Sequence, residues 1–78
     1  MSNIRIAFGN VFKRLRKERG LSQLDIDADY GISAKYQSDI EKGKRNVSLK
    51  FVEKAANAFG ITVGDMFVLI EEEKNKMQ

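Results

Sequence analysis

Apolar residues recur along this chain at spacings of three and four, which is the period of a helix with one buried face. The first such stripe runs through residues 4–18 and consists of Ile4, Phe8, Val11, Phe12 and Leu15. Another stripe runs through residues 49–59 and consists of Leu49, Val52, Ala55, Ala56 and Phe59. The pattern therefore predicts a chain built from amphipathic helices, with no sheet.

Capping residues divide the chain into five predicted helices. A hydroxyl that can accept from free backbone N–H groups stands at the start of each later helix, at Ser22, Ser33, Ser48 and Thr62. Glycines, which commonly end helices, stand at positions 20, 31, 43 and 60, while Gly9 lies inside the first helix and indicates close packing. We predict an all-α fold in one domain over residues 1–78, with helices over about 4–18, 22–30, 33–42, 48–59 and 62–75.

The composition argues against most enzyme chemistry. The 78 residues include no cysteine and no histidine, so the chain has no thiolate nucleophile, imidazole base or disulfide framework. A glycine-rich phosphate loop and a cluster of metal ligands are also missing from the sequence, and we expect neither enzymatic activity nor a cofactor. No apolar run approaches the ~20 residues of a membrane span. We therefore expect a cytoplasmic protein with no membrane partner.

The charge is modest in sum but unevenly distributed. The net charge is +3, yet residues 1–20 carry six Lys or Arg against one acid, and residues 33–50 carry five against two. Residues 51–78 instead carry three Lys against five acids. One interpretation is a nucleic-acid face with an acidic far side. The alternative is that the charged residues solvate helix faces, and charge alone does not separate the two.

The third predicted helix is polar almost all round. Its sequence after Ser33 is AKYQSDIEK, and around it only Ile32 and Ile40 are expected to be buried. A short helix with so little apolar surface adds little to a core. An intermolecular contact would explain why such a helix is held in place.

Four motifs in order along the chain carry a family likeness: LRKERGLSQLDI, YGIS, IEKGKRNVSL and ITVGDMF. They resemble the lambda-repressor-like helix-turn-helix family, which includes the Cro/CI and XRE-type regulators. The likeness covers about Phe8 to Phe67. It implies a five-helix DNA-binding domain whose motif occupies about residues 22–42, with Ser33–Lys42 as the recognition helix.

The resemblance also implies one structural ion pair and exposes two unusual residues. Arg16 and Glu41 match the positions at which the family pairs an arginine with a glutamate. Asp27 and Gln37 stand where the family has a small residue and an apolar one, at the contact between the two motif helices. We predict that the Gln37 amide donates to the Asp27 carboxylate. The alternative is that the two helices are splayed and both side chains are hydrated.

Within this family frame, the start of the recognition helix faces the major groove. The residues predicted to read bases are Ser33, Ala34, Lys35, Ser38 and Asp39. Asp39 has two equal interpretations, since its carboxylate either accepts from a cytosine amino group or pairs with Lys35 one turn back. Lys35 can donate to guanine O6 and N7.

Other side chains are predicted to bind the DNA backbone. The predicted phosphate contacts are Gln23, Tyr36, Lys42, Lys44, Arg45 and Asn46. Gln23 is the family's phosphate-contacting glutamine by resemblance, and it stands at a helix N-terminus, where backbone N–H groups also bind phosphates. For Tyr36 the alternative is packing over the loop that follows the recognition helix.

The last predicted helix carries five consecutive apolar residues, too many for one small core. We predict a two-fold dimer through this surface, with an interface formed by Phe51, Met66, Phe67, Val68, Leu69 and Ile70. The alternative is that this helix folds back on its own core. The leading function is a sequence-specific transcriptional regulator that binds a palindromic operator in double-stranded DNA as a homodimer. It would be a small standalone repressor, or an activator–repressor of the phage or restriction–modification controller type. The alternative function is an antitoxin with autoregulatory DNA binding, which would bind a toxin partly through the same apolar run.

Overall fold

Five α-helices account for most of the residues that the computed structural model describes, which are 3–77. The helices are α1 (Ile4–Glu18), α2 (Gln23–Tyr30), α3 (Ala34–Glu41), α4 (Leu49–Phe59) and α5 (Val63–Lys76). Residues 3–77 contain no strand. The predicted all-α fold of five helices is confirmed, and the predicted boundaries differ from the observed ones by at most one residue.

Helix capping explains why the boundaries could be predicted. Ser22, Ser33, Ser48 and Thr62 each accept a hydrogen bond from the backbone N–H three residues later. In α2 and α5 an aspartate at that third position also accepts from the backbone N–H of the cap, which completes a capping box. At the other ends, Gly31 and Gly60 adopt φ values of 67° and 69°, a left-handed conformation that disfavours residues with a Cβ.

Helix α1 lies at the centre of the fold and packs mainly against α3 and α5, while α4 contacts α5, α1 and α2. Aromatic rings fill the space between α1 and α4, where the Phe12 ring lies 5.2 Å from the Phe59 ring and 6.1 Å from the Phe51 ring, centroid to centroid. A Cβ added to Gly9 would overlap the carbonyl oxygen of Ile40. Gly9 thus permits the close approach of α1 to the end of α3.

Two residues of the predicted apolar stripes lie outside the core. Ile4 is 47% exposed and Leu49 is 77% exposed. Both lie in the first turn of their helices, at the edge of a surface cavity rather than beneath a neighbouring helix. None of the helices within residues 3–77 combines the length and the apolar content needed to cross a bilayer.

Candidate nucleic-acid interface

The predicted base-reading residues occupy one side of α3 and the turn before it. Ser33 caps α3 and is exposed, and Lys35 projects from the first turn with its side chain 83% exposed. Ala34 and Ser38 are half-buried. Asp39 is the least accessible of the set, with 13% of its side chain exposed. The arrangement leaves Lys35 as the long side chain with most freedom to reach outward from this surface.

The Asp39 carboxylate lies between two cations. Its Oδ1 is 3.2 Å from Nζ of Lys35, and its Oδ2 accepts from Nε and Nη2 of Arg45, each at 3.4 Å. The hydrogen bond from Lys35 lowers the pKa of Asp39 below its ordinary value, with a smaller contribution from Arg45 in the same direction. Asp39 therefore pairs with Lys35, as one of its two interpretations predicted, and it also pairs with a residue of the following loop.

Arg45 is further held by an aromatic ring. Its guanidinium carbon lies 5.1 Å from the centroid of the Tyr36 ring, and the Tyr36 ring contacts the edge of Phe51 at 5.3 Å, centroid to centroid. A guanidinium over an aromatic face gains electrostatic attraction from the ring. Tyr36 thus packs over the loop after α3, as its alternative interpretation had it, and its contact with a phosphate remains a prediction.

The remaining predicted phosphate contacts lie on two elements. Gln23 is the first residue of α2 and is half-buried, and its carbonyl oxygen accepts from the Gln37 side chain of α3. Lys42, Lys44 and Asn46 are exposed in the segment after α3. That segment is held against α3 because the backbone N–H of Lys44 donates to the carbonyl of Asp39. The basic loop and the start of α2 are therefore both fastened directly to α3.

Arg16 and Glu41 join α1 to the C-terminal end of α3. The guanidinium donates from Nε to Oε2 at 2.7 Å and from Nη2 to Oε1 at 3.0 Å, which is a bidentate pair. A third donor, Nη1, reaches the carbonyl of Leu21 at 2.9 Å, in the segment between α1 and α2. The side chains are only 11% and 7% exposed. This arginine therefore joins three segments around the motif.

The predicted bond between Asp27 and Gln37 does not form. The Gln37 side chain is fully buried and its Nε2 donates to two main-chain carbonyls, Gln23 O at 2.9 Å and Ile32 O at 2.8 Å. Asp27 instead accepts from the backbone N–H of Ala34 at 3.3 Å. Both the pairing and its hydrated alternative were wrong for Gln37, because main-chain carbonyls at the turn provide acceptors that a sequence does not display.

The predicted dimer interface needs a correction at three residues. Met66 and Ile70 are buried in the core, and so is most of Phe51, which packs against Phe8 and Phe12. The physical reason is the helical period, since Met66 and Ile70 lie four residues apart and face inward together. Phe67 and Val68 are exposed and Leu69 is half-buried, so these three stay candidates for an interface.

One functional candidate was missed by reasoning from the sequence. Leu49 exposes 77% of its surface beside a cavity of about 160 Å³ whose walls also include Ile4, Phe8 and Phe67. Its place directly after the Ser48 cap, where helix packing has not yet begun, was the signal available. The Gln37 amide does link α3 to α2 as predicted, but it donates to the main-chain carbonyl of Gln23 and not to the Asp27 carboxylate.

Comparison with known proteins found a matching family model and similar sequences. A model described as helix-turn-helix matches residues 12–66. The control protein C.MunI of a Mycoplasma species is 47% identical over 74 residues, which cover 94% of this chain and 100% of C.MunI. The control protein C.BamHI of Bacillus amyloliquefaciens is 36% identical over 66 residues, which cover 83% of this chain and 82% of C.BamHI.

A solved structure is similar to this chain as well. The restriction–modification controller protein C.Esp1396I, solved as a tetramer with its natural 35 base-pair operator, is similar to this chain with a TM-score of 0.82. The two are 25% identical, and the similarity covers 94% of this chain and 96% of the other.

Proposed function

Because this chain belongs to the helix-turn-helix family of transcriptional regulators, we propose that it binds a palindromic operator in double-stranded DNA as a homodimer. The family predicted from the four sequence motifs is thereby confirmed. The observation that carries the proposal is one surface of the molecule, where the outward side of α3 adjoins the basic segment after it. A DNA-binding surface needs both parts, since base contacts give sequence preference and phosphate contacts give most of the affinity.

We assign the contacts on this surface to two classes. Ser33, Ala34, Lys35 and Ser38 face the bases, with Lys35 as the main donor to guanine. Gln23, Lys42, Lys44 and Asn46 hold the phosphate backbone on either side, together with Arg45 and Tyr36. Support for this division comes from burial, because Lys35 and Lys44 are exposed on different segments that α3 holds in a fixed relation.

The dimer is proposed to form through the exposed apolar side of α5 and the start of α4. Phe67 and Leu49 line the same surface cavity of about 160 Å³, and Val68 next to Phe67 is also exposed. A second copy would cover this apolar surface, which a small monomer otherwise leaves in water. Two domains related by a two-fold axis read half-sites about one helical turn apart, which is why the operator is proposed to be palindromic.

The regulator is further proposed to be a controller of the restriction–modification type. The whole length of C.MunI matches this chain at 47% identity. C.BamHI and C.Esp1396I, which are named as control or controller proteins, match most of this chain. The antitoxin alternative stays a prediction. The apolar surface on which it rested is assigned here to the second copy of the chain.

Selection of DNA from a random-sequence duplex library tests the proposal, with footprinting on the selected duplex. We expect a two-fold symmetric footprint and, by sedimentation, a dimer in the bound species. Lys35→Ala should relax the selected sequence at one position per half-site and weaken binding by about 1–3 kcal/mol. Lys44→Ala is the matched control, since it should weaken binding to every duplex alike and reduce the salt dependence by about one ion.

The opposite pattern would contradict the proposal. If Lys44→Ala changed the selected sequence while Lys35→Ala weakened all duplexes equally, the division of contacts would be reversed. A wild-type protein that enriched no sequence from the library would rule out operator binding.

A further inference from the structure

Asp39 is the one acidic residue in the set that is predicted to face DNA bases. Its two carboxylate oxygens contact Nζ of Lys35 at 3.2 and 3.4 Å, and Oδ2 also accepts from two nitrogens of Arg45. Lys35 is the main candidate for reading a base, and Arg45 is a candidate for holding phosphate. The Asp39 carboxylate therefore pairs with one cation that is predicted to read a base and with one that is predicted to bind phosphate.

Asp39 pairs with both of these cations in the free protein. Lys35 lies one turn before Asp39 on α3, so the pair is built into the helix. Arg45 comes from the loop and contacts both the Asp39 carboxylate and the Tyr36 ring. Without the carboxylate, the Lys35 ammonium would have no ion-pair partner among the residues that the structure describes.

These ion pairs are of the kind that DNA can replace. The side chains of Lys35 and Arg45 are 83% and 51% exposed, and ion pairs between solvated groups are weak. A phosphate that approaches this surface competes with Asp39 for the same two cations and repels the carboxylate itself. The repulsion is relieved where a base edge presents an amino group to the carboxylate, as cytosine N4 or adenine N6 does in the major groove.

We propose that Asp39 is a specificity-determining residue that acts as an internal competitor of DNA phosphate. It holds Lys35 and Arg45 in the free protein, so DNA of arbitrary sequence gains less from these two cations. The operator offsets that loss because it places an amino group within reach of the carboxylate. Both interpretations of Asp39 then apply in turn, as it pairs with Lys35 before binding and accepts from a base afterwards. The inference rests on the proposed function, because it requires a specific operator.

The test compares Asp39→Asn with Asp29→Asn on two duplexes. Asp29 is exposed on α2, and its substitution changes the formal charge by the same amount. One duplex is that selected by the wild-type protein from the random library, and the other is a scrambled duplex of equal length and composition. Asp39→Asn should bind the scrambled duplex about tenfold more tightly at about 0.1 M salt, as expected for roughly one additional neutralised phosphate.

The affinity for the selected duplex should change much less. The ratio of the affinity for the selected duplex to that for the scrambled duplex should therefore fall about tenfold in Asp39→Asn. The salt dependence on the scrambled duplex should also become steeper by about one ion. Asp29→Asn should change both affinities by the same factor and leave their ratio unaltered. Asp39→Ser provides a second variant if the asparagine variant does not fold, as judged by circular dichroism.

A variant that lacks both cations distinguishes competition between Asp39 and DNA phosphate for those cations from simple repulsion between Asp39 and phosphate. In the double variant Lys35→Met and Arg45→Met, adding Asp39→Asn should change the affinity for the scrambled duplex no more than adding Asp29→Asn does, because no cation is left for Asp39 to compete for. If the effect of Asp39→Asn persists in that background, or if the affinity ratio is unchanged in the first comparison, the proposal is overturned. A wild-type protein that does not discriminate between the two duplexes would instead overturn the proposed function, and this inference with it.

Discussion

Helix α3 is attached to its neighbours by two different kinds of bond, one at its C-terminal end and one at its middle. At its C-terminal end, Glu41 forms a bidentate ion pair with Arg16 of α1, at 2.7 and 3.0 Å. At the middle of the helix, the Gln37 amide donates to the main-chain carbonyls of Gln23 and Ile32, at 2.9 and 2.8 Å. One attachment joins two charged side chains, and the other joins a neutral side chain to the backbone.

The difference has energetic consequences. Removing one partner of a largely buried ion pair leaves a charge without compensation, which is costly. The neutral attachment is less demanding, since a lost amide donor leaves polar groups but no charge. Gln37 Oε1 is also buried without a hydrogen-bond partner among the residues that the structure describes, so this side chain is not an optimal fit. We expect the C-terminal attachment to dominate stability.

Breaking the ion pair should have the largest effect. Glu41→Ala removes the carboxylate partner of Arg16, whose side chain is 11% exposed, and we expect a loss of about 3–5 kcal/mol in the free energy of unfolding. Urea denaturation monitored by circular dichroism measures it. Glu18→Ala is the control, because the Glu18 side chain is 58% exposed and lies 3.8 Å from Arg19. Its loss should stay below about 1 kcal/mol. Equal losses for the two variants would contradict the comparison.

A substitution where α1 closely contacts the C-terminal end of α3 should have an effect of intermediate size. Gly9→Ala introduces a methyl group that overlaps the Ile40 carbonyl, so the helices must separate, at a cost of about 1–3 kcal/mol. Gly64→Ala makes the same change within α5, where the nearest atom would be Thr62 Oγ1 at 3.8 Å. That control should be neutral or stabilising by up to about 1 kcal/mol, because alanine favours helices. Thermal denaturation of both variants would show whether the two substitutions shift the melting temperature in opposite directions.

The neutral attachment should give the smallest effect. Gln37→Met keeps a side chain of similar length, removes two donated hydrogen bonds and also removes the buried acceptor without a partner. We expect these terms to offset in part, for a net loss of about 1 kcal/mol. Gln23→Met is the matched control on the facing helix, where no side-chain hydrogen bond is lost in residues 3–77. A loss for Gln37→Met as large as that for Glu41→Ala would show that the two attachments of α3 are equally strong.

Much of the fold could be predicted because it follows from local rules. The caps Ser22 and Thr62, each with an aspartate three residues later, marked helix starts that the structure reproduces. The positions of Arg16 and Glu41 could be matched through the family motifs. Gln37 and Asp27 could not be placed correctly, since their partners are main-chain groups brought together by the turn between α2 and α3.

The sequence by itself determined the five helices, because capping and periodicity act within a few residues of each other, and its motifs determined the family. Only the tertiary structure decided which apolar residues of α5 are buried and which cation pairs with which acid. Met66 and Phe67 are neighbours of similar polarity in the chain, yet the packing of α5 on the core buries the first and exposes the second. Arg45 likewise reaches Asp39 because the segment after α3 places the guanidinium beside the Tyr36 ring, an arrangement that capping and helical periodicity do not predict.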